Sequence, residues 1–557
     1  MTEKRINLRK KPFYLTEEQE TWVFDTLDAM TPEEKAGQLF VIMAKPGQDE
    51  DTKEAVETYH VGGVLYRPVH TKKELAEKFS GLDKLAKYPL LKVADAEEGN
   101  SGMAGGNGAA ADGFRFSTQM AAAATGRMED VTHLAYTCAS EASEIGINWS
   151  YSPIADIDMN FRNPITNVRT FGSDPDRVAE CAAEYIRVIQ EAGIAACAKH
   201  FPGDGVDFRD QHLHPTCNTL SAEEWFRTYG KVYETLIGQG VKSIMAGHIL
   251  QPSLQRMLHP AIRDEELLPA SLCRELLSGI LREKLGFNGV ITTDSTTMSG
   301  YSMAMEREKA IPASVEAGCD MFCLSMNYKE DIGYLLKGLK NGSLSEKRLD
   351  EAVTRVLALK AGTALPEKKK LPEAPFAEWA AACADHAVTL VKDKKGILPI
   401  DRSRYPKISL VSLGEDEIAE GSLKEIIKKE LEKQGFAVTI YDPSRDQLNG
   451  TGRLDRSTLT LYICNLGVKI GNTATHVYWT AERGMGIPRF PNELDYVFVS
   501  FGSPYHLADV PRIPAYINAY AASEIFAKAV AEKITGNSPF MGTSPVDAFC
   551  GLFDTRL

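Results

Sequence analysis

The stretch that decides the fold is residues 194–212, IAACAKHFPGDGVDFRDQH. It begins with an apolar run suited to a buried strand, and the run ends abruptly in Lys199 and His200. A protein core rejects such side chains unless each has a partner. We therefore expect a buried strand whose carboxyl end carries Lys199 and His200 into a site.

Similar short apolar runs alternate with charged, helical segments from residue 1 to about 360. Besides 194–200, the candidate strands are 37–43, 61–67, 89–95, 147–156, 243–249, 289–294 and 319–325. Such alternation is typical of repeated βα units with a parallel sheet. Eight strands predict an α/β fold with an N-terminal (β/α)8 barrel of the TIM type.

Several of these strands end in polar residues. They are Asp95, Asp156, Lys199 with His200, His248 and Asp294. In a (β/α)8 barrel the carboxyl ends of the strands form the active-site face. Each of these residues alone could equally be a helix cap or a loop charge, but together they predict one site.

A second domain follows the barrel. Residues 362–377, GTALPEKKKLPEAPFA, combine proline, glycine and lysine without apolar periodicity and predict a linker. We place the barrel at 1–361 and a smaller α/β sandwich at 378–557. The strands of the sandwich are expected within 407–413, 436–442, 459–465 and 496–502.

Composition excludes several classes of protein. The 557 residues carry a net charge of −13, and no basic stripe is present to hold nucleic acid. No run approaches the ~20 apolar residues of a membrane span, and no export signal is visible. Ten cysteines without paired spacings indicate a reduced cytoplasm and neither disulfides nor a metal site. We expect no cofactor.

Two motifs carry acid/base and nucleophilic chemistry. Asp210 and His212 are spaced so that the carboxylate accepts a hydrogen bond from one imidazole nitrogen and leaves the other free for proton transfer. Asp294, followed by hydroxyl residues, could attack the anomeric carbon of a sugar. A D-x-H pair by itself is more often a polar loop with a surface histidine, so its context decides.

That context resembles glycoside hydrolase family 3. The resemblance covers residue 15 to about 361, and the rest less specifically. It rests on MTPEEKAGQLF (30–40), the segment 146–175, KHFPG followed by D-x-H, and GFNGVITTDSTTM (286–298). The D-x-H pair is the mark of the β-N-acetylglucosaminidase branch, whereas β-glucosidases of the family use a glutamate from elsewhere.

The resemblance implies a role for each matching residue. Asp294 would be the nucleophile, His212 the acid/base and Asp210 the carboxylate that orients it. The terminal sugar would be bound by Asp95, Arg169, Lys199 and His200. His248 is more consistent with a supporting histidine than with direct catalysis.

Two departures from the family pattern stand out. Where the branch has EGGR and then another arginine, this chain has Glu98 followed by Gly-Asn-Ser-Gly-Met at 99–103. Asp204 replaces a histidine common after KHFPG. A carboxylate there would raise the pKa of a histidine within several ångströms.

The sequence therefore predicts a retaining exo-β-N-acetylglucosaminidase that acts on chitooligosaccharides or cell-wall fragments. One alternative is a phosphorylase with the same glycosyl-aspartate intermediate, and another is a non-catalytic sugar-binding protein. A barrel aldolase or isomerase would need Lys199 as its Schiff-base lysine. The expected partner is a small amino-sugar β-glycoside. A homodimer is left open, as is whether 378–557 shapes the pocket or mediates dimerisation.

Overall fold

The computed structural model describes residues 6–67, 69–98, 110–366, 371–441, 455–471, 473–479 and 486–557. Contacts group the chain into two compact units. The first comprises Met1–Arg115, Leu134–Asn160 and Pro175–Ala374, and the second comprises Phe116–His133, Phe161–Asp174 and Pro375–Leu557. Two segments from the N-terminal half of the sequence thus belong to the second unit.

The first unit is a closed barrel of eight parallel strands. Its strands are β1 (Phe40–Ala44), β2 (Gly63–Tyr66), β3 (Leu91–Ala94), β4 (Trp149–Ser150), β5 (Ala195–Phe201), β7 (Ser243–Ala246), β9 (Val290–Ser295) and β10 (Met321–Cys323). They follow one another around the barrel in the order β1, β2, β3, β4, β5, β7, β9, β10. Each lies within or overlaps a predicted run, so the predicted (β/α)8 barrel is confirmed. A small parallel pair, β6 (Thr216–Cys217) and β8 (Ile249–Leu250), stands outside it.

Helices alternate with the strands. They are α1 (Glu17–Ala29), α2 (Pro32–Gln38), α3 (Asp49–Glu57), α4 (Lys72–Leu85), α6 (Met128–Ile145), α7 (Pro175–Glu191), α8 (Ala222–Trp225), α9 (Lys231–Gln239), α10 (Pro252–Leu258), α11 (Ser299–Ser302), α12 (Arg307–Ala317), α13 (Tyr328–Asn341) and α14 (Glu346–Thr363), with a π-type helix at Glu275–Lys284. Three of them start with capping boxes at Thr16, Thr31 and Thr71. Each threonine side chain accepts from the backbone N–H of the third helical residue, and the glutamate or glutamine side chain of that residue accepts from the threonine N–H.

The second unit contains a six-stranded sheet. Its strands are β11 (Thr389–Asp393), β12 (Lys407–Gly414), β15 (Ala437–Ile440), β16 (Thr458–Asn465), β17 (Tyr496–Ser500) and β18 (Ala515–Asn518), in the order β11, β18, β17, β16, β12, β15. Among the described strand pairs of this six-stranded sheet, β11–β18 is antiparallel and the others are parallel. Its helices are α5 (Gln119–Ala124), α15 (Phe376–Ala387), α16 (Leu423–Lys433) and α17 (Glu524–Thr535), and β13 (Glu417–Ile418) with β14 (Gly421–Ser422) forms a small hairpin. The predicted smaller α/β domain is confirmed.

None of the helices in the described ranges is long and apolar enough to cross a membrane.

Candidate active site

The end of β5 carries Lys199 between two carboxylates. Its Nζ lies 2.7 Å from Asp95 Oδ1 and 2.8 Å from Glu97 Oε1, both in the segment after β3. Lys199 and Glu97 are buried, whereas Asp95 is partly accessible. This ion-pair cluster presents polar groups suited to sugar hydroxyls. The two carboxylates stabilise an ammonium group, whereas a Schiff-base lysine must react as the free amine.

His200, the next residue, faces the proposed nucleophile. Its Nδ1 lies 2.7 Å from Asp156 Oδ2, and its backbone N–H donates to Asp156 Oδ1 at 3.0 Å. Its Nε2 lies 3.8 Å from Asp294 Oδ2. The pairing of β5 with β7 shifts register between Ala198 and Phe201. The irregularity therefore falls on Lys199 and His200. Both side chains thereby reach acidic partners at the end of the barrel.

Asp294 lies near the end of β9, and only one of its two carboxylate oxygens accepts a hydrogen bond from the described residues. The backbone N–H of Ser295 donates to Oδ1 at 2.6 Å. Within the described residues, Oδ2 accepts no hydrogen bond. Burial acts to raise the pKa of Asp294, but His200 above all, with the Ser295 N–H, outweighs it and holds the pKa below its ordinary value. The carboxylate is therefore ionised at neutral pH.

Asp210 and His212 form the predicted dyad. His212 Nδ1 lies 2.6 Å from Asp210 Oδ1, and the His212 backbone N–H donates to the same oxygen at 2.9 Å. Because Asp210 Oδ1 accepts from the His212 backbone N–H, we assign the ring proton to Nδ1, which donates to the same oxygen, and Nε2 is left for proton exchange. Asp210 is buried, whereas the His212 side chain is 18% exposed. The dyad therefore has an oriented imidazole that solvent or substrate can reach.

His248, after β7, supports the end of β9. Its Nε2 donates to the backbone carbonyl of Ser295 at 3.0 Å, and its Nδ1 accepts from Ser271 Oγ at 2.9 Å. Burial lowers the pKa of His248, which agrees with this neutral form. The side chain braces the residue next to Asp294, in keeping with the supporting role predicted for it.

The segment after β3 holds a second ion pair. Buried Glu98 pairs with Arg115, whose Nη2 lies 2.9 Å from Glu98 Oε2. Residues 99–103, where the sequence departs from the EGGR pattern, lie outside the described residues. An arginine does reach this part of the barrel unit, but it comes from a later position in the chain.

Arg169 belongs to the second unit. It is buried in the segment 161–174, where its Nη1 donates to the Ile165 carbonyl at 3.1 Å. Asn163 Oδ1 accepts from the N–H groups of Ile165 and Thr166, and so shapes the same turn. The predicted contact of Arg169 with the sugar stays a prediction.

The barrel unit thus brings together six of the seven predicted site residues, all except Arg169. Sequence reasoning assigned no role to Glu97 and Asp156, which partner Lys199 and His200. Asp156 stood out only as a polar strand end, and Glu97 was one acidic residue in a run. The signal that could have found them is the need of buried polar groups for partners, since a buried lysine needs a carboxylate and a buried imidazole N–H needs an acceptor.

A barrel with an ionised carboxylate, an aspartate-histidine dyad and a polar cluster at its strand ends has the parts of a glycoside-cleaving enzyme. Residues 31–359 match the family described as glycosyl hydrolase family 3 N terminal domain. The chain belongs to glycosyl hydrolase family 3.

Relatives extend the match to the whole chain. A protein of Cellulomonas fimi named beta-N-acetylglucosaminidase/beta-glucosidase is 40% identical, over 99% of this chain and 100% of its own. A beta-hexosaminidase of Tolumonas auensis is 30% identical, over 53% of this chain and 84% of its own. The solved structure titled beta-glucoside phosphorylase BglX is 42% identical with a TM-score of 0.92, over 99% of both chains.

Proposed function

We propose that this protein removes a terminal β-linked N-acetylglucosamine or glucose residue through a covalent glycosyl-Asp294 intermediate. The observation that carries the proposal is the ionised Asp294, whose Oδ2 is unengaged among the described residues, in one barrel unit with the oriented Asp210–His212 dyad. The cluster of Lys199, Asp95 and Glu97 would bind hydroxyls of the terminal sugar and so favour exo cleavage.

In the first step Asp294 Oδ2 attacks the anomeric carbon, and the bond from that carbon to the leaving oxygen breaks. His212 Nε2 gives its proton to the leaving oxygen, while Asp210 stabilises the imidazolium before the transfer. The enzyme then holds a glycosyl ester and a neutral His212.

In the second step an acceptor attacks the ester from the opposite face and restores the original anomeric configuration. Water would give the free sugar, as the sequence predicts. Phosphate would give a sugar 1-phosphate and return a proton from HPO₄²⁻ to His212. We favour phosphate, because an imidazole does not repel this anion as a glutamate base would. The 42% identity to the protein titled beta-glucoside phosphorylase BglX supports the same choice.

The test is product analysis with chitobiose, cellobiose and the two matching nitrophenyl β-glycosides, with and without inorganic phosphate. We expect turnover to rise with phosphate and sugar 1-phosphate of unchanged anomeric configuration to accumulate. Free sugar at a rate independent of phosphate would identify a hydrolase instead. Binding of the sugars without any turnover would contradict the proposed function and favour a sugar-binding protein.

A further inference from the structure

Asp204, which departs from the family pattern, is buried inside the candidate site. The residue is 3% exposed, and its Oδ1 accepts from the Gly205 N–H at 2.7 Å. Its Oδ2 accepts from Gln211 Nε2 at 3.3 Å. The carboxylate therefore engages a residue that lies between the two members of the dyad.

Gln211 is bound at both ends of its side-chain amide. The residue is 1% exposed, and its Oε1 accepts from the backbone N–H of His248 at 2.8 Å. An N–H can only donate and an ionised carboxylate can only accept, so the two partners together fix which way the amide points. A reversed amide would place its NH₂ against the His248 N–H, donor to donor, and its oxygen against the Asp204 carboxylate, acceptor to acceptor.

The fixed side chain of Gln211 acts on the Asp210–His212 dyad through the backbone. Gln211 directly joins Asp210 to His212, and the Ser299 N–H donates to the His212 carbonyl at 3.0 Å. A shift of the Gln211 side chain would move both members of the dyad. A displacement of about 1 Å at a reacting group can cost on the order of 100-fold in rate.

Asp204 also contacts the nucleophile side of the site. Its backbone N–H donates to Asp156 Oδ1 at 2.7 Å, and Asp156 in turn holds His200, which faces Asp294. Asp204 thus lies between the His200 network and the Asp210–His212 loop. A position that touches both networks is suited to setting their separation.

We propose that Asp204 and Gln211 are a donor-acceptor pair that positions His212 for proton transfer to the leaving oxygen. The inference rests on the proposed function. Asp204 is a positioning residue, because it acts through Gln211 and His212 and not on the sugar.

The pair can be tested by exchanging which of the two residues donates the hydrogen bond and which accepts it. D204N leaves one of the donors Gly205 N–H and Gln211 Nε2 without an acceptor, and Q211E places two carboxylates together. In the double variant D204N/Q211E, the new amide at position 204 can donate to the new carboxylate at position 211. That carboxylate can still accept from the His248 N–H. The double variant also keeps the net charge of the wild type.

We expect each single variant to lose about tenfold or more in kcat/KM on substrates with poor leaving groups, because only these need a placed acid. On dinitrophenyl glycosides the loss should be small. The double variant should recover most of the lost rate. Q255E is the matched control, because buried Gln255 bonds both backbone groups of Leu268 and does not touch Asp204. It should keep the leaving-group dependence of the wild type.

A second readout does not require turnover. The rate at which diethyl pyrocarbonate modifies His212, followed by peptide mass spectrometry, should rise in both single variants and return to the wild-type rate in the double variant. Single variants with unchanged leaving-group dependence and unchanged His212 modification would overturn the proposal while leaving the glycosidase activity intact. An inactive wild type with the expected modification pattern would instead refute only the proposed function.

Discussion

Asp294 combines burial with ionisation because of its neighbours. The carboxylate is removed from water, which disfavours its charge, yet His200 and the Ser295 N–H stabilise that charge. Neither holds Oδ2 in a hydrogen bond, since His200 Nε2 stays 3.8 Å away. A charged oxygen that little water screens, and that no donor among the described residues holds, is a stronger nucleophile than a solvated carboxylate.

The first prediction concerns the loss of this nucleophile. Asp294→Ala should lower kcat at least ~10³-fold, because the variant lacks the carboxylate on which the proposed glycosyl ester forms. A 2-fluoro glycoside should label the wild type at Asp294, as detected by peptide mass spectrometry, and leave the variant unlabelled. Near-normal turnover or labelling of another residue would reject the assignment.

The second prediction follows from the lowered pKa of Asp294. The group is deprotonated down to a pH below the ordinary aspartate value of about 3.9. With a dinitrophenyl glycoside, which needs no acid, the rate of glycosyl-enzyme formation should stay level until the pH falls below about 4. His200→Gln removes the imidazole that does most to lower the pKa of Asp294 and should shift the acidic limb to higher pH. His259→Gln, at an exposed site, should not move it.

The third prediction separates proton donation from other roles of His212. His212→Ala should reduce the rate on substrates with poor leaving groups by about 10²-fold or more, and the rate on dinitrophenyl glycosides far less. A series of aryl glycosides measures this as a steeper dependence of rate on leaving-group pKa. An equal loss across the series would argue against the acid role.

The site residues divide by how they can be recognised in the sequence. Asp294, Asp210 and His212 are chemically distinctive and close to apolar runs or to each other, so spacing and resemblance find them. Glu97, Asp156 and Gln211 are ordinary polar residues whose role depends on which side chain folding places opposite them. Sequence spacing carries no information about the long-range pairs Glu97–Lys199 and Asp156–His200, and it does not single out Asp204 as the partner of Gln211.

At the scale of elements, a buried carboxylate joins β10 to two helices. Asp320, immediately before β10, lies 2.5 Å from Arg282 Nη2 and 2.6 Å from Arg348 Nη2, and Arg355 lies 3.7 Å away. Arg282 is in the helix Glu275–Lys284, and the other two are in α14. One carboxylate therefore holds the start of a barrel strand to helices from both sides of it in the sequence.

The fourth prediction is that Asp320→Asn destabilises the fold strongly. Asp320 is 0% exposed, and its loss leaves three largely buried arginine side chains, 14%, 11% and 11% exposed, without their anion. Breaking such a buried ion pair costs about 3–5 kcal/mol. Asp264→Asn is the control, because the Asp264 side chain is 89% exposed and its pair with Arg256 lies at the surface. Chemical denaturation should show a large loss for the first variant and at most about 1 kcal/mol for the second.

The strands show how far apolar patterning predicts elements. All eight barrel strands were found, because a strand buried on both faces is a nearly continuous apolar run. The strands β11 and β18 of the second unit were not. Thr389–Asp393 mixes polar with apolar residues, and Ala515–Asn518 is only four residues long. The edge position of β11 weakens the signal that identifies a buried parallel strand. Length alone does not explain β18, because β2, β3 and β7 are equally short.

At the scale of the whole molecule, no single boundary in the sequence separates the two units. The segments 116–133 and 161–174 lie in the N-terminal half but bond to the C-terminal part within the second unit. The Thr118 hydroxyl donates to the Tyr520 carbonyl at 3.2 Å, and Asn167 Nδ2 donates to Ser503 Oγ at 3.0 Å. The Ser173 N–H donates to the Pro545 carbonyl at 3.1 Å. We propose on this basis that the predicted boundaries 1–361 and 378–557 are not boundaries of independent folding.

The fifth prediction is that a chain ending at residue 361 does not fold stably. All six residues of α5 are buried in the full chain, and the truncation removes the partners of both inserted segments. The fragment should bind a hydrophobic dye and lack a cooperative thermal transition. As the control, the full chain with a protease site placed at 371–375, where Pro372 and Glu373 are exposed and outside any helix or strand, should be cleaved after folding. It should keep its thermal transition, because the same contacts persist without the covalent link. A monomeric 1–361 fragment that unfolds cooperatively and binds no dye would show that the inserted segments need no C-terminal partner.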